Sequence, residues 1–242
     1  MAKITFMGAG STVFAKSVLG DCMLTPALRD SHIALYDIDH QRLKDSESML
    51  KNINRNYGNH ATIVAYTDRK EALRDADYVV NAIQVGGYEP CTVTDFEIPK
   101  KYGLRQTIGD TLGIGGIFRG LRTIPVMLDF ARDMEEVCPD AWFLNYTNPM
   151  AIVTAPIQRT TGIKTVGLCH SVQVCAEHLL EGLGMSTENI QWKIAGINHM
   201  AWLLEITRDG EDLYPEIKRR ALERETPHND MVRYEIMKHF GY

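Results

Sequence analysis

The residue types with the clearest chemical potential are a cysteine and a histidine in two separate segments. Cys169 follows a short apolar run, and His199 lies in the later segment Gly196–Met200. A thiolate and an imidazole can share one divalent cation and leave positions open for substrate oxygens, whereas two protein ligands are too few for structural zinc. Spacing alone favours a plainer interpretation, in which the cysteine fills apolar space and the histidine is a hydrogen-bonded core residue. A Cys/His or Ser/His nucleophile pair is a further alternative, although no G-x-S-x-G turn supports it.

A glycine-rich turn follows the first apolar run, Lys3–Met7, and precedes a helical pattern. Glycines there let the backbone approach a pyrophosphate, and the free N–H groups at a helix start attract the anion. Val13 replaces the third glycine of the usual G-x-G-x-x-G dinucleotide-binding motif. The prediction therefore also depends on the second predicted strand, which ends at an acidic residue. That carboxylate would bond a ribose diol and repel a 2′-phosphate, which favours NAD over NADP. Asp39 is also positioned to cap the next helix. The predicted NAD-binding residues are Gly8, Gly10, Ser11 and Asp37.

Two further segments have both a functional and a plain interpretation. Five glycines fall within residues 109–120, before a helical pattern over Leu121–Val137. Such a loop suits a lid over a ligand, or it is a connection with several left-handed turns. Asn148 follows a later strand, where its amide could contact a sugar hydroxyl or the nicotinamide, but its spacing before Pro149 favours a helix-capping role.

The elements that position these residues alternate between strands and helices. Six short apolar runs are each followed by a helical pattern or a turn, which is typical of βαβ units. The sequence therefore predicts an α/β, Rossmann-like doubly wound parallel sheet, followed by the start of an α+β substrate domain that we expect to be truncated. We predict an NAD-binding domain over residues 1–165 and a partial substrate- and metal-binding domain over residues 166–242.

The composition narrows the class of partner. The chain has 242 residues, a formal charge of −5 and 45% hydrophobic residues. This acidic balance, without a dense basic run, makes nucleic acid and anionic membranes poor candidates and favours a small molecule. No apolar stretch is long enough to span a bilayer and no signal peptide is evident, so a cytoplasmic location is expected. Five cysteines without a repeated spacing argue against a disulfide framework.

Taken together, the motifs resemble those of the NAD- and Mn-dependent family 4 glycoside hydrolases. The segments that carry the resemblance are Gly8–Ser11, Tyr36–Asp39, Gly86–Pro90, Asn145–Met150, Cys169–Val172 and Gly196–Met200. The Cys-His-Ser-Val run is similar to the α-galactosidase (melibiase) subgroup, whereas the 6-phospho-glycosidases of the family have Cys-Asp or Cys-Asn. The resemblance implies NAD and Mn²⁺ as cofactors, with Cys169 and His199 as the manganese ligands.

The resemblance also implies a redox-elimination route to net hydrolysis, which is an exception to the usual two-carboxylate scheme. Oxidation at sugar C3 by NAD acidifies the C2 proton, and the metal stabilises the charge that forms when a base removes it. The C1 oxygen then leaves, water adds, and NADH returns the hydride. Tyr234 is the candidate base, with Tyr242 as a rival. His170 is a candidate proton donor or sugar-binding residue, and Asn148 would contact the sugar.

Other functions remain open at this point. A lactate/malate-type NAD-dependent dehydrogenase would share the nucleotide domain, but it needs an arginine clamp and a histidine–aspartate relay and has no use for a thiolate ligand. A non-catalytic NAD-binding fragment is the other alternative, since members of the resembled family extend beyond Tyr242. We also expect a homo-oligomer, a dimer or a tetramer.

Overall fold

The structure is a computed structural model that describes residues 1–223 and 230–242. It divides into two compact units, Met1–Leu168 and Cys169–Tyr242. The predicted boundary after residue 165 lies close to this division. Throughout the described residues, no helix has both the length and the apolar character needed to cross a membrane.

The first unit is built on a six-stranded parallel sheet. Its strand order is β3-β2-β1-β4-β5-β6, which reverses direction between β1 and β4. The strands are β1 (Lys3–Met7), β2 (His32–Tyr36), β3 (Thr62–Tyr66), β4 (Tyr78–Asn81), β5 (Trp142–Asn145) and β6 (Lys164–Gly167). The helical segments are α1 (Thr12–Leu24), α2 (His40–Asn56), α3 (Arg69–Leu73), a π-helical turn (Gly87–Thr92), α4 (Val93–Lys101), α5 (Gly113–Val137) and α6 (Met150–Thr160). The predicted doubly wound α/β class is confirmed.

Successive side chains of the strands point alternately into two separate hydrophobic cores. Phe6 and Met7 are fully buried neighbours on β1 and lie in different hydrophobic clusters, because successive strand residues point to opposite faces. One cluster packs α1 and α2 against the sheet through residues such as Leu19 and Leu50. The other packs α5 and α6 through residues such as Met127 and Ile157. Both faces are covered, as a parallel sheet requires.

The described part of the second unit, residues 169–223 and 230–242, combines an antiparallel sheet with three helices. Its elements are α7 (Ser171–Gly182), β7 (Ile190–Ile197), β8 (Met200–Arg208), β9 (Glu211–Asp212), α8 (Tyr214–Glu223) and α9 (Met231–Phe240). Ile206 of β8 is buried in one cluster with side chains of α7, α8 and α9. Helical patterns over residues 172–183 and 230–240 predict α7 and α9, and apolar runs over residues 191–196 and 201–207 predict β7 and β8. No sequence pattern predicts α8.

The glycine-rich segment is mostly a helix, so the prediction of a loop over residues 109–120 is wrong. Helix α5 begins at Gly113, and three further glycines lie inside it at points of close packing. A Cβ on Gly116 would come within 2.5 Å of the Thr111 backbone, and one on Gly120 within 2.6 Å of the Ile152 side chain. A Cβ on Gly115 would overlap the Gly109 carbonyl oxygen. These glycines allow close approach and do not supply the flexibility of a lid.

This packing makes Gly115→Ala a destabilising substitution. The added methyl group would also lie 2.7 Å from the Asp95 carbonyl oxygen, so backbone must move. We expect a loss of about 1–3 kcal/mol in the free energy of unfolding. Gly20→Ala is the matched control, because nothing lies within 4 Å of its Cβ position in α1. That change should stabilise the chain by about 0.5–1 kcal/mol. Urea denaturation compares the two, and equal midpoints would contradict the close-packing account.

Candidate active site

The first candidate site lies at the carboxyl ends of β1 and β2, beside the point where the strand order reverses. Ligands of open α/β sheets bind at this switch point. The backbone N–H groups of Gly8 and Ala9 both donate to the Tyr36 carbonyl at 3.0 Å, which joins the two strand ends. A Cβ on Gly8 would lie 2.9 Å from the carbonyl oxygen of Ala82, which directly follows β4, so only glycine fits at this point.

The Asp37 carboxylate organises this turn. One of its oxygens accepts a hydrogen bond from Gly10 N at 2.7 Å, and the other accepts from Asp39 N at 2.9 Å. A Cβ on Gly10 would come within 2.7 Å of that first carboxylate oxygen, which explains the glycine. Asp39 accepts from the N–H groups of Gln41 and Arg42 and therefore caps α2, as the sequence suggested. Asp37 is thus the carboxylate of this pair left facing the turn.

Ser11 begins α1 without a side-chain cap. The first turn of α1 consequently offers backbone N–H groups to an anion, which is the usual arrangement for a pyrophosphate. Two large apolar side chains flank the turn and are unusually exposed, Val13 at 78% and Ile38 at 87%. An exposed apolar side chain beside this turn could contact the flat face of a base, and the sequence analysis did not single out Ile38 for it. Its position directly after the predicted acidic residue was the available signal.

Asn148 does not cap a helix, so the capping role that the spacing favoured is wrong. Helix α6 starts at Met150 after Pro149, and no side chain caps it. The Asn148–Pro149 peptide bond is cis, and Asn148 is half-buried. Its side chain is therefore not committed to the helix start.

Buried amides beneath Asn148 hold this loop, and the sequence analysis did not single them out. Asn81 Nδ2 donates to Asn145 Oδ1 at 3.0 Å and to Thr147 Oγ1 at 2.9 Å. Thr147 Oγ1 donates in turn to the Ile83 carbonyl at 3.0 Å. These bonds join the ends of β4 and β5. A pair of asparagines at equivalent positions in neighbouring strands was the signal that could have revealed them.

Two arginines near the start of α5 pair with carboxylates. Arg122 makes a two-point ion pair with the buried Asp95, at 2.9 and 2.5 Å, and its Nε donates to the Val85 carbonyl. Arg119 pairs with Asp110 at 2.9 Å. The first pair ties α5 to α4 and to the segment after β4.

The second unit contains the second candidate site, in which Cys169 meets His199. Cys169 Sγ lies 3.6 Å from His199 Nε2. Two atoms bound to one first-row cation at about 2.0–2.3 Å each are separated by about 3–4 Å, so this spacing fits two neighbouring ligands. Within residues 1–223 and 230–242, no cluster of three or more His, Cys, Asp or Glu side chains is arranged to hold a metal. The pair therefore fits an open site, in which other donors complete the coordination.

A strained turn delivers His199 to this position. Ile197 pairs with Met200 across β7 and β8, so Asn198 and His199 form a two-residue hairpin turn. His199 has a φ of +63°, a left-handed conformation that costs a non-glycine residue energy. Gly196 has a φ of +139°, and a Cβ there would lie 2.6 Å from the Met200 carbonyl oxygen. Such strain at a chemically competent side chain is typical of a functional site.

The Cys169 sulfur forms several hydrogen bonds. It donates to the Ser171 hydroxyl oxygen at 3.3 Å and accepts from the Ser171 backbone N–H at 3.5 Å. Burial raises the pKa of the Cys169 thiol, but the hydrogen bonds with Ser171 and with the Asn198 side chain lower it by more. The pKa therefore lies below its ordinary value. A lowered pKa favours the thiolate, which is the metal-binding form. By contrast, burial raises the pKa of Cys138 to about 11.

The remaining predicted site residues occupy different environments in the second unit. His170 is exposed and directly precedes α7. Tyr234 is only 4% exposed and lies in the hydrophobic cluster formed by α7, α8 and α9. Tyr242 is 49% exposed, and its ring packs edge-on against Tyr214. Burial of Tyr234 counts against a role as catalytic base, and that role stays a prediction.

The fold and the two sites define a class of protein in which a Rossmann-like α/β unit is followed by a unit with a cysteine–histidine pair. Comparison with known proteins agrees with this class. Residues 3–185 match the family 4 glycosyl hydrolase domain, and residues 194–242 match the family 4 glycosyl hydrolase C-terminal domain. The chain belongs to glycosyl hydrolase family 4. This result removes the dehydrogenase alternative at the level of the family.

Individual relatives agree with this assignment. An alpha-galactosidase of Bacillus subtilis (strain 168) is 66% identical over the whole chain, which covers 56% of that relative. An alpha-galactosidase of Rhizobium meliloti (strain 1021) is 38% identical over 99% of the chain and 49% of the relative. The solved structure of a 6-phospho-alpha-glucosidase from gut microorganisms, in complex with NAD and Mn²⁺, superposes with a TM-score of 0.86 at 25% identity. It covers 99% of this chain, which spans 58% of that structure. The chain thus spans about half the length of these relatives.

Proposed function

We propose that this chain is part of an α-galactosidase that hydrolyses melibiose-like α-galactosides with the help of NAD and Mn²⁺. The observation that carries the proposal is the Cys169–His199 pair, 3.6 Å apart and delivered by a strained turn. The 66% identity to a named alpha-galactosidase supports the choice of sugar. The proposed route is the oxidation, elimination, addition and re-reduction sequence implied by the family resemblance.

The residues of the first unit fit a dinucleotide. Gly8 and Gly10 let the backbone approach a pyrophosphate, the start of α1 after Ser11 supplies N–H donors, and Asp37 accepts bonds from a ribose diol. Both Asp37 oxygens already accept one backbone bond, so the carboxylate is held in place and each oxygen still has acceptor capacity. When bound, NAD supplies a hydride acceptor that makes a sugar carbinol a ketone and later returns the hydride.

The residues of the second unit fit a divalent cation. Cys169 and His199 would hold it, and Ser171 keeps the sulfur oriented through two hydrogen bonds. When bound, the cation supplies Lewis acidity toward sugar oxygens next to the carbon that loses a proton. A thiolate and an imidazole accept several first-row metals, so the choice of Mn²⁺ depends on the related structure that contains it.

Proton transfer and sugar binding are assigned by the family resemblance. His170 is exposed beside the Cys169 loop and can donate a proton or bind a hydroxyl. Asn148, which caps no helix, is proposed to bond the sugar. A free tyrosine has a pKa of about 10, so a tyrosine base needs a nearby positive charge. Tyr234 is the candidate base and Tyr242 the more exposed rival.

The domain roles follow from these assignments. We propose that residues 1–165 bind NAD and that residues 166–242 contribute to the metal and sugar site. The homo-oligomeric state and the cytoplasmic location stay predictions from the sequence.

An assay with p-nitrophenyl α-galactoside tests the proposed activity. The protein is stripped of bound cofactors, kept reduced, and measured with and without NAD and Mn²⁺. We expect release of p-nitrophenol only when both are present, and much slower release from the β-galactoside. Equal activity after stripping and chelation would refute the redox route. Binding of NAD and Mn²⁺ without any turnover would favour the non-catalytic alternative.

A further inference from the structure

Asn198 is a residue of the cation site to which the family assignment gives no role. It precedes His199 in the two-residue turn between β7 and β8. Its side chain hydrogen-bonds the Cys169 sulfur. Its Oδ1 atom is buried and has no hydrogen-bond partner among the described residues. Because Oδ1 makes no bond, the bond to sulfur must come from Nδ2, the donor end of the amide.

This orientation gives the two ends of the amide different tasks. The Nδ2 end donates to the sulfur, as a supporting residue does when it fixes a metal ligand. The Oδ1 end is an acceptor removed from water, and leaving such a group unpaired is unfavourable. A buried acceptor next to an open metal site is satisfied when a ligand brings a proton donor. A sugar hydroxyl and a cation-bound water both supply an O–H group.

We propose that Asn198 is a positioning residue of the cation site, whose N–H group orients the Cys169 sulfur and whose carbonyl oxygen accepts a hydrogen bond from an O–H group that arrives with the ligand. The inference rests on the proposed function, because it requires a cation at Cys169 and His199. The inference adds Asn198 to Cys169 and His199 as a third side chain of the cation site. Spacing did not point to Asn198, because asparagine is common in hairpin turns for conformational reasons alone.

The test replaces Asn198 by leucine, which keeps the size of the side chain and removes both polar ends. Mn²⁺ affinity is measured by electron paramagnetic resonance, and the thiolate-to-Co²⁺ absorption is measured with Co²⁺ alone. We expect Asn198→Leu to lower Mn²⁺ affinity about 10–100-fold. We also expect the Co²⁺ band at longer wavelength, because a sulfur that loses a hydrogen bond gives up electron density more easily. A purely structural residue would not move this band.

Gln191→Met is the matched control, since Gln191 is an exposed amide of β7, the strand that leads into this turn. It should change neither measurement. If circular dichroism shows that Asn198→Leu fails to fold, Asn198→Ala is used for both measurements. Unchanged Mn²⁺ affinity together with an unchanged Co²⁺ band in the folded variant would overturn the inference.

Galactose distinguishes the two sources of the O–H group. If a sugar hydroxyl bonds Asn198, galactose raises Mn²⁺ affinity in the wild type and this gain is lost in the variant. If a cation-bound water bonds Asn198 instead, galactose changes the Mn²⁺ affinity of the wild type and that of the variant by the same factor. Failure of the proposed function gives a different result. If no cation binds at Cys169 and His199, the wild type shows no thiolate-to-Co²⁺ band, and Cys169→Ser then changes nothing.

Discussion

Replacement of Cys169 by serine is expected to lower the Mn²⁺ affinity of the protein by more than about a hundredfold. Loss of a residue that merely supports a ligand costs about 10–100-fold, and loss of the ligand itself should exceed that range. The thiol pKa lies below its ordinary value, so the wild type supplies a thiolate that a serine hydroxyl cannot replace at neutral pH. Activity toward p-nitrophenyl α-galactoside should fall in parallel and should not recover with added Mn²⁺.

Cys175→Ser is the control for this change. Cys175 lies in α7 of the same unit, is half-buried and takes no part in the cysteine–histidine pair. Its serine variant should bind Mn²⁺ as the wild type does. Equal affinities for the wild type and Cys169→Ser would show that the 3.6 Å contact with His199 is only an internal hydrogen bond.

The second large effect is expected for Asp37→Asn, which should weaken NAD binding by roughly 10–100-fold. Hydrogen bonds to a charged group are worth about 1.5–3 kcal/mol, and the amide replaces one acceptor by a donor. That donor would face either Gly10 N or Asp39 N, both of which need an acceptor. The loss of negative charge also removes repulsion of a 2′-phosphate, so the preference for NAD over NADP should shrink.

Titration of NAD and NADP by intrinsic fluorescence or calorimetry measures this effect. Asp45→Asn is the matched control, because Asp45 lies on α2 and accepts a hydrogen bond from the exposed Gln41 side chain, away from the Gly8–Ser11 turn. Its affinity for NAD should match that of the wild type. An Asp37→Asn protein with unchanged NAD affinity and unchanged discrimination would place the dinucleotide elsewhere.

Local patterns predicted most of the elements that position these sites. The alternation of apolar runs and helical patterns led to the parallel sheet, because strand and helix periodicities are properties of the local chain. The same patterns missed α4 and α8. Spacing also misjudged the start of α5, because glycine is a poor helix former and a helical pattern does not show the close contacts with Gly109, Thr111 and Ile152 that require it here.

The interpretation of individual polar residues depended on contacts that spacing does not contain. Asn148 looked like a helix cap, yet α6 has no side-chain cap. Spacing also does not show that Arg122 pairs with the buried Asp95 of α4. For Cys169 and His199, spacing alone favoured the plainer packing interpretation, and only the resemblance to a known family pointed to a shared cation.

By itself, the sequence determined the α/β class, the turn with Gly8 and Asp37, and the family, because these depend on residues that are close along the chain or on motifs that can be compared directly. Only the tertiary structure decided that Cys169 and His199 lie 3.6 Å apart and that Asn198 bonds the same sulfur. The reason is physical: a two-residue turn with a left-handed histidine folds one strand back on another, and pairings of this kind depend on the register of the hairpin.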